Sequence, residues 1–198
     1  MSHPQAGPAG RATYGEPRGV PGDLAARLDA LEARQQIADV VNLVARGWDR
    51  RDEDLLRKCF WPDARLRHGG FDGAAADFVA FGLEKTARVL RARHLISNLV
   101  IAVQRDRALA ECHFCATHRR PNAAGSDEED YEIGGRFLDR FERRAGDWRI
   151  AFRRGLNEFE RLSPRADVSL ACADPASLGR RWPEDALYAM LADLGAGT

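Results

Sequence analysis

The sequence predicts an α+β domain: N-terminal helices packed on a strongly curved, mostly antiparallel sheet that encloses an apolar pocket. Three observations predict it. Leu24, Leu28, Leu31, Ile37, Val40, Val41, Val44 and Trp48 recur at helical intervals. From Arg93 onward the period changes to two, over four segments separated by turn-forming residues. Gly134-Gly135 then interrupts one of those segments, as a bulge or sharp bend in a curved sheet requires.

The elements follow in order. The first 22 residues are rich in Gly, Pro, Ala and Arg without an apolar stretch, and read as a disordered leader rather than a secretory signal. Asp23 is placed to cap a long amphipathic helix, or two with a bend, ending near Arg50. Asp52 caps a short helix carrying Leu55, Leu56 and Phe60, which Trp61-Pro62-Asp63 stops. Ala64 to His68 reads as a short strand and Gly69, Gly70 and Gly73 as the turn after it. A third helix is expected from about Ala74 to Leu90, with Phe78, Phe81, Val89 and Leu90 on its apolar face. The four strands are Arg93 to Val103, Ala108 to Arg119, Tyr131 to Arg143 and Trp148 to Phe159. Arg144-Ala145-Gly146-Asp147 predicts a tight hairpin, and Pro121 to Asp130 a long acidic loop. The domain is expected over 23–162, followed by a C-terminal extension over 163–198 with one helix from Glu184 to Leu194 that covers the pocket mouth or a neighbouring subunit. Helices on one face of such a meander are expected to leave a closed cone.

Composition narrows the functions. The 198 residues carry 30 basic and 30 acidic side chains, so no basic field is available for nucleic acid or an anionic membrane. No apolar run approaches a membrane span, and a cytoplasmic location is expected. Cys112 and Cys115 have a C-x-x-C spacing, but on a strand residues three apart point to opposite faces, so both are expected to be structural. The histidines have no metal-ligand spacing, and neither a metal nor another cofactor is expected.

Catalytic candidates are polar residues in apolar surroundings. Asp49 ends the long helix directly after Trp48, and His94 opens the first long strand on the face shared by Ile96, Asn98 and Val100. If that face lines the cone, the helix end carrying Asp49 crosses the mouth of the same sheet. A carboxylate beside an imidazole fixes its tautomer and stabilises the imidazolium, leaving Nε2 free to take a proton. The alternative is a core histidine and a solvent-facing helix-end aspartate. Of His113 and His118, which have opposite parity, His118 shares a face with Phe114 and is preferred as a pocket residue. Phe60, Phe71, Phe78, Phe81, Phe114 and Phe137 read by default as ordinary core; if Phe71, Phe114 and Phe137 line the cone with Trp48 and Ile133, the ligand is expected to be apolar or aromatic.

The stretches Trp48-Asp49-Arg50-Arg51-Asp52, Phe60-Trp61-Pro62-Asp63-Ala64 and Arg93-His94-Leu95-Ile96-Ser97-Asn98 resemble the SnoaL-like branch of the nuclear transport factor 2-like (NTF2-like) superfamily. So do Ile133-Gly134-Gly135-Arg136-Phe137 and Gly146-Asp147-Trp148-Arg149-Ile150; the resemblance spans about residues 24 to 161 and rests on order and spacing. It implies a cone fold, often trimeric. It is similar to the branch of scytalone dehydratase, hexachlorocyclohexane dehydrochlorinase and bile acid 7α-dehydratase, which use an Asp–His dyad without cofactor or metal; the dyad falls on Asp49 and His94. Several relatives carry a tyrosine near the aspartate where this chain has Trp48, whose indole donates but cannot act as an acid. Tyr131, His68 and Arg153 are the candidates for that role, the alternative for His68 being a strand-end surface histidine; Arg153 matches a pocket arginine of the dehydrochlorinase and is expected to pair with Asp49 or to bind an anionic substrate group, unless it is one of many surface arginines.

These readings lead to a cofactor-independent lyase acting on a small apolar, aromatic molecule by dehydration, dehydrohalogenation or deformylation, and assembling as a homotrimer or homodimer. An isomerase or cyclase on the same fold stays open. The rival reading is a non-catalytic small (β) subunit of a ring-hydroxylating dioxygenase, for which a shallow or filled cavity and an outward His94 are expected; a third is a ligand-binding module without turnover.

Overall fold

A computed structural model describes residues 23–167 and 169–196; the expected leader over 1–22 lies outside the described residues. Helix α1 runs unbroken from Leu24 to Arg50. The Asp23 carboxylate caps it by accepting from the Ala25 amide at 3.3 Å. Ala33, Ile37, Val41 and Val44 form its buried stripe, while Leu24, Leu28 and Leu31 remain exposed. The helix ends where Arg51 adopts the left-handed conformation at φ 54°, and the Asp52 amide donates back to the Gly47 carbonyl at 2.9 Å. Helix α2 (Glu53–Lys58) starts there, capped by Asp52.

Strands β1 (Phe60–His68) and β2 (Phe71–Ala74) form a hairpin, and helix α3 spans Ala75–Lys85. Strand β2 occupies the glycine-rich segment expected as a turn, and α3 stops short of the expected Leu90. Its stop is tertiary: the Arg51 guanidinium donates to the carbonyls of Leu83 (2.9 Å) and Ala87 (3.2 Å), so the left-handed residue ending α1 also fixes the end of α3.

Strands β3 (Arg91–Gln104), β4 (Arg107–Pro121), β5 (Glu128–Arg144) and β6 (Asp147–Pro164) form the antiparallel meander, each slightly longer than its periodicity predicts. The sheet order is β2-β1-β6-β5-β4-β3, with β1 parallel to β6. The sheet is curved but unclosed: β2 and β3 are edges, so the expected closed cone is open on one side. The bend sits where the double glycine predicts it. The ladder between β5 and β6 slips between Gly134 and Gly135, and a Cβ on Gly135 would lie 1.9 Å from the Leu156 carbonyl oxygen.

One parity expectation fails. Strand β3 bulges between Ser97 and Val100, with Asn98 at φ 51°. The extra residue turns Val100 outward, 47% exposed, and buries Ile101 instead. His94 lies before the bulge and keeps its inward direction. Cys112 is buried and Cys115 half-buried on opposite faces of β4, as strand geometry requires. Burial pushes the Cys112 thiol up to about 11, which makes it inert. The extension continues through two short 3-10 turns, Ser169–Cys172 and Pro175–Ser177, to helix α4 (Ala186–Ala196). Among the described residues no helix is long and apolar enough to cross a membrane.

Candidate active site

The end of α1 crosses the start of β3, and this crossing brings together two side chains 45 residues apart. His94 Nδ1 donates to Asp49 Oδ1 at 2.7 Å. A carboxylate oxygen only accepts, so this contact assigns the proton to Nδ1. Both side chains are largely withdrawn from water, 14% exposed for His94 and 15% for Asp49.

His94 opens onto a cavity of about 220 Å³ between the concave face of the sheet, α1 and α3. Trp48, His68, Phe114, His118, Ile133, Phe137 and Arg153 line it. Phe60, Leu66, Phe78 and Ala116 complete the apolar wall. The Phe114 and Phe137 rings stack at 4.2 Å, and Trp48 meets Phe78 edge-on at 5.7 Å.

His68 is seated by a missing side chain. It pairs with Gly155 across β1 and β6, and a Cβ there would come within 2.2 Å of its Nδ1. Its ring lies 5.7 Å from Phe137 and 6.0 Å from Phe78. Burial, reinforced by the Arg153 charge, holds its pKa below the usual histidine value. His118 stands edge-on to His94, and burial with the neighbouring His94 pushes it down to about 4. His113, of opposite parity, is exposed on the outer face.

Two expected pocket residues lie elsewhere. Phe71 sits behind the wall, packed on Phe78 at 5.2 Å and Phe81 at 6.0 Å, because β2 is the sheet edge beyond β1. Tyr131 is not part of the cavity lining: its hydroxyl donates to Glu160 at 2.9 Å and Arg120 lies over its ring at 4.7 Å.

Arg153 is in the wall, but its partner is Asp139, not Asp49. Its Nε and Nη2 donate to the two carboxylate oxygens of Asp139 at 2.7 and 2.6 Å, with both residues buried. The guanidinium also lies 4.3 Å above the Phe137 ring. The fork is thus committed to the protein. Asp139 went unnoticed in the sequence although it shares inward parity with Phe137 and Phe141.

The sequence reading also missed Arg181, which the C-terminal extension brings into the cavity wall. No sequence pattern marks it. Among the described residues no three His, Cys, Asp or Glu side chains cluster as metal ligands.

Fold and site together define an α+β sheet-and-helix protein in which an imidazole, held by a carboxylate, faces an apolar cavity. The sequence profile of the SnoaL-like domain matches residues 29–154, and the chain belongs to that family. Solved structures agree on the fold. The Kfla4162 protein from Kribbella flavida is 19% identical, with 67% of this chain and 95% of that one covered and a TM-score of 0.61. A type 2 hexachlorocyclohexane dehydrochlorinase is 21% identical over 71% of this chain and 94% of that one, with a TM-score of 0.60. The type 3 enzyme from Novosphingobium barchaimii is 23% identical over 71% and 95%, with a TM-score of 0.59. Among curated proteins none matches this sequence.

Proposed function

We propose that the protein is a cofactor-independent lyase that removes a proton from a small apolar molecule with the Asp49–His94 pair and expels a leaving group. The observation that carries this reading is the 2.7 Å contact between the two side chains at the wall of an apolar cavity. With Nδ1 held by Asp49, Nε2 is the nitrogen that meets the substrate. Asp49 orients the ring and balances the imidazolium formed when a proton is taken from carbon. His118, kept neutral, offers a ring nitrogen 5.6 Å centroid to centroid from His94 without adding positive charge. An engineered apolar cavity of about 150 Å³ accepts benzene, so 220 Å³ suits one ring with a small substituent. Similar solved structures include enzymes described as hexachlorocyclohexane dehydrochlorinases.

The dioxygenase-subunit reading expects a shallow or filled cavity and an outward His94; the inward, paired histidine favours the lyase. The reading includes a homo-oligomer. Leu95, Val100, Leu109 and Phe159 share the face of β3–β6 away from the cavity and are exposed. The functional test is a screen of hydroxylated and halogenated one-ring compounds for loss of water, halide or formaldehyde. Carbon-bound hydrogen exchange in D2O serves as a second readout. At least one compound is expected to react; absence of both elimination and exchange across the panel contradicts the proposal.

A further inference from the structure

The cavity contains two guanidinium groups, and they differ in what balances them. Arg153 is gripped by Asp139 through both prongs. Arg181 comes from the extension, beyond the segment that matches the family profile. Its Nη2 donates to the Val89 carbonyl. Its Nη1 is buried and has no hydrogen-bond partner among the described residues. It forms no ion pair there either; burial, followed by the neighbouring charge of Arg51, holds its pKa below the usual arginine value.

Contacts on both sides hold Arg181 against the end of α1. The next residue, Trp182, donates its amide to the Arg50 carbonyl at 2.8 Å. Asp185 accepts from the Arg180 amide at 2.8 Å and pairs with Arg50 at 3.3 Å. The Tyr188 hydroxyl donates to Asp52 at 3.1 Å. The extension is thus strapped to the end of α1, the same turn that presents Asp49. A buried guanidinium donor without an acceptor is costly, and the cost is recovered when a ligand supplies the acceptor.

We infer that Arg181 is a substrate-binding residue: its guanidinium, at the cavity wall and without a carboxylate partner among the described residues, receives an anionic oxygen, so the cavity selects a one-ring apolar molecule bearing a carboxylate. This rests on the cavity being the substrate site, but not on the chemistry of the dyad. A fork holding an anion in a low-dielectric wall orients the rest of the ring toward His94, because a charge-assisted bond fixes one end of a small ligand.

The test uses the full chain and two probes of similar size, benzoate and benzyl alcohol, titrated calorimetrically. The wild-type protein is expected to bind benzoate at least about tenfold more tightly than benzyl alcohol. Arg181→Met is expected to weaken benzoate about tenfold to a hundredfold, the size of one charge-assisted bond, while benzyl alcohol stays within about twofold. Arg181→Gln, which keeps one donor but no charge, decides by the same ratio if the Met variant does not fold. Equal affinities of the two probes in the wild type overturn the inference. So does a variant that leaves their ratio unchanged, including one that loses both together, which makes Arg181 a cover and not a ligand. Loss of dyad chemistry would leave the benzoate preference intact, so the two failures are distinguishable.

Discussion

The His118 ring stands perpendicular to that of His94, the centroids 5.6 Å apart and the planes at 84°. One of the pair has a carboxylate on its Nδ1, whereas the Nδ1 of the other is buried without a hydrogen-bond partner among the described residues. Two imidazolium ions this close would repel, and burial together with the neighbouring His94 holds His118 neutral.

A pH dependence of stability follows from that assignment. His118 in the folded state sits near 4, below the value of about 6.5 for the unfolded chain. Below pH 6.5 the unfolded chain therefore takes up a proton that the folded chain refuses, and stability falls as the pH drops from about 6.5 to 4. The loss amounts to about 2–4 kcal/mol by pH 4. Urea unfolding of the wild type and His118→Gln at pH 7 and pH 4.5 checks it. The variant is expected to lose less stability on acidification, and an equal loss contradicts the assignment.

The Arg153–Asp139 pair predicts a different asymmetry. Removing one partner leaves a buried charge, so Asp139→Ala is expected to destabilise by about 3–5 kcal/mol. Replacing both, as in Arg153→Met with Asp139→Leu, is expected to cost less than the single change. Thermal unfolding of the two variants decides; a double variant no more stable than Asp139→Ala counts against the pair acting as a neutral unit.

The exposed face bearing Leu95, at 52% exposure, and Phe159, at 47%, predicts self-association. Light scattering is expected to give two or three times the chain mass for the wild type, and a lower mass for Leu95→Arg. A monomeric wild type contradicts the homo-oligomer.

Much of this was legible in the sequence. The 3.6-residue period of Ile37, Val41 and Val44 and the alternation along β3 to β6 predict both layers, and the double glycine locates the bend. Strict alternation also aims His94, Phe114, His118 and Phe137 inward. The misses have physical causes. Glycines hid β2, because a four-residue edge strand gains its stability from pairing with β1, which no local pattern records. The end of α3 is written in Arg51, more than thirty residues upstream. The bulge at Asn98 flips the parity of the rest of β3. Arg181 reaches the cavity from 132 positions beyond Asp49 by a path without periodicity. Asp139 was the findable one: a carboxylate at inward parity between two buried phenylalanines demands a buried partner.

The central claim is tested most directly by the rate of elimination, on whichever compound the screen identifies, for the wild type, His94→Ala and Asp49→Asn at pH 7, with circular dichroism to confirm the fold. Loss of the base or of its orienting carboxylate is expected to lower kcat by about two to four orders of magnitude, with the fold intact. A folded His94→Ala protein that turns over at the wild-type rate would contradict the account.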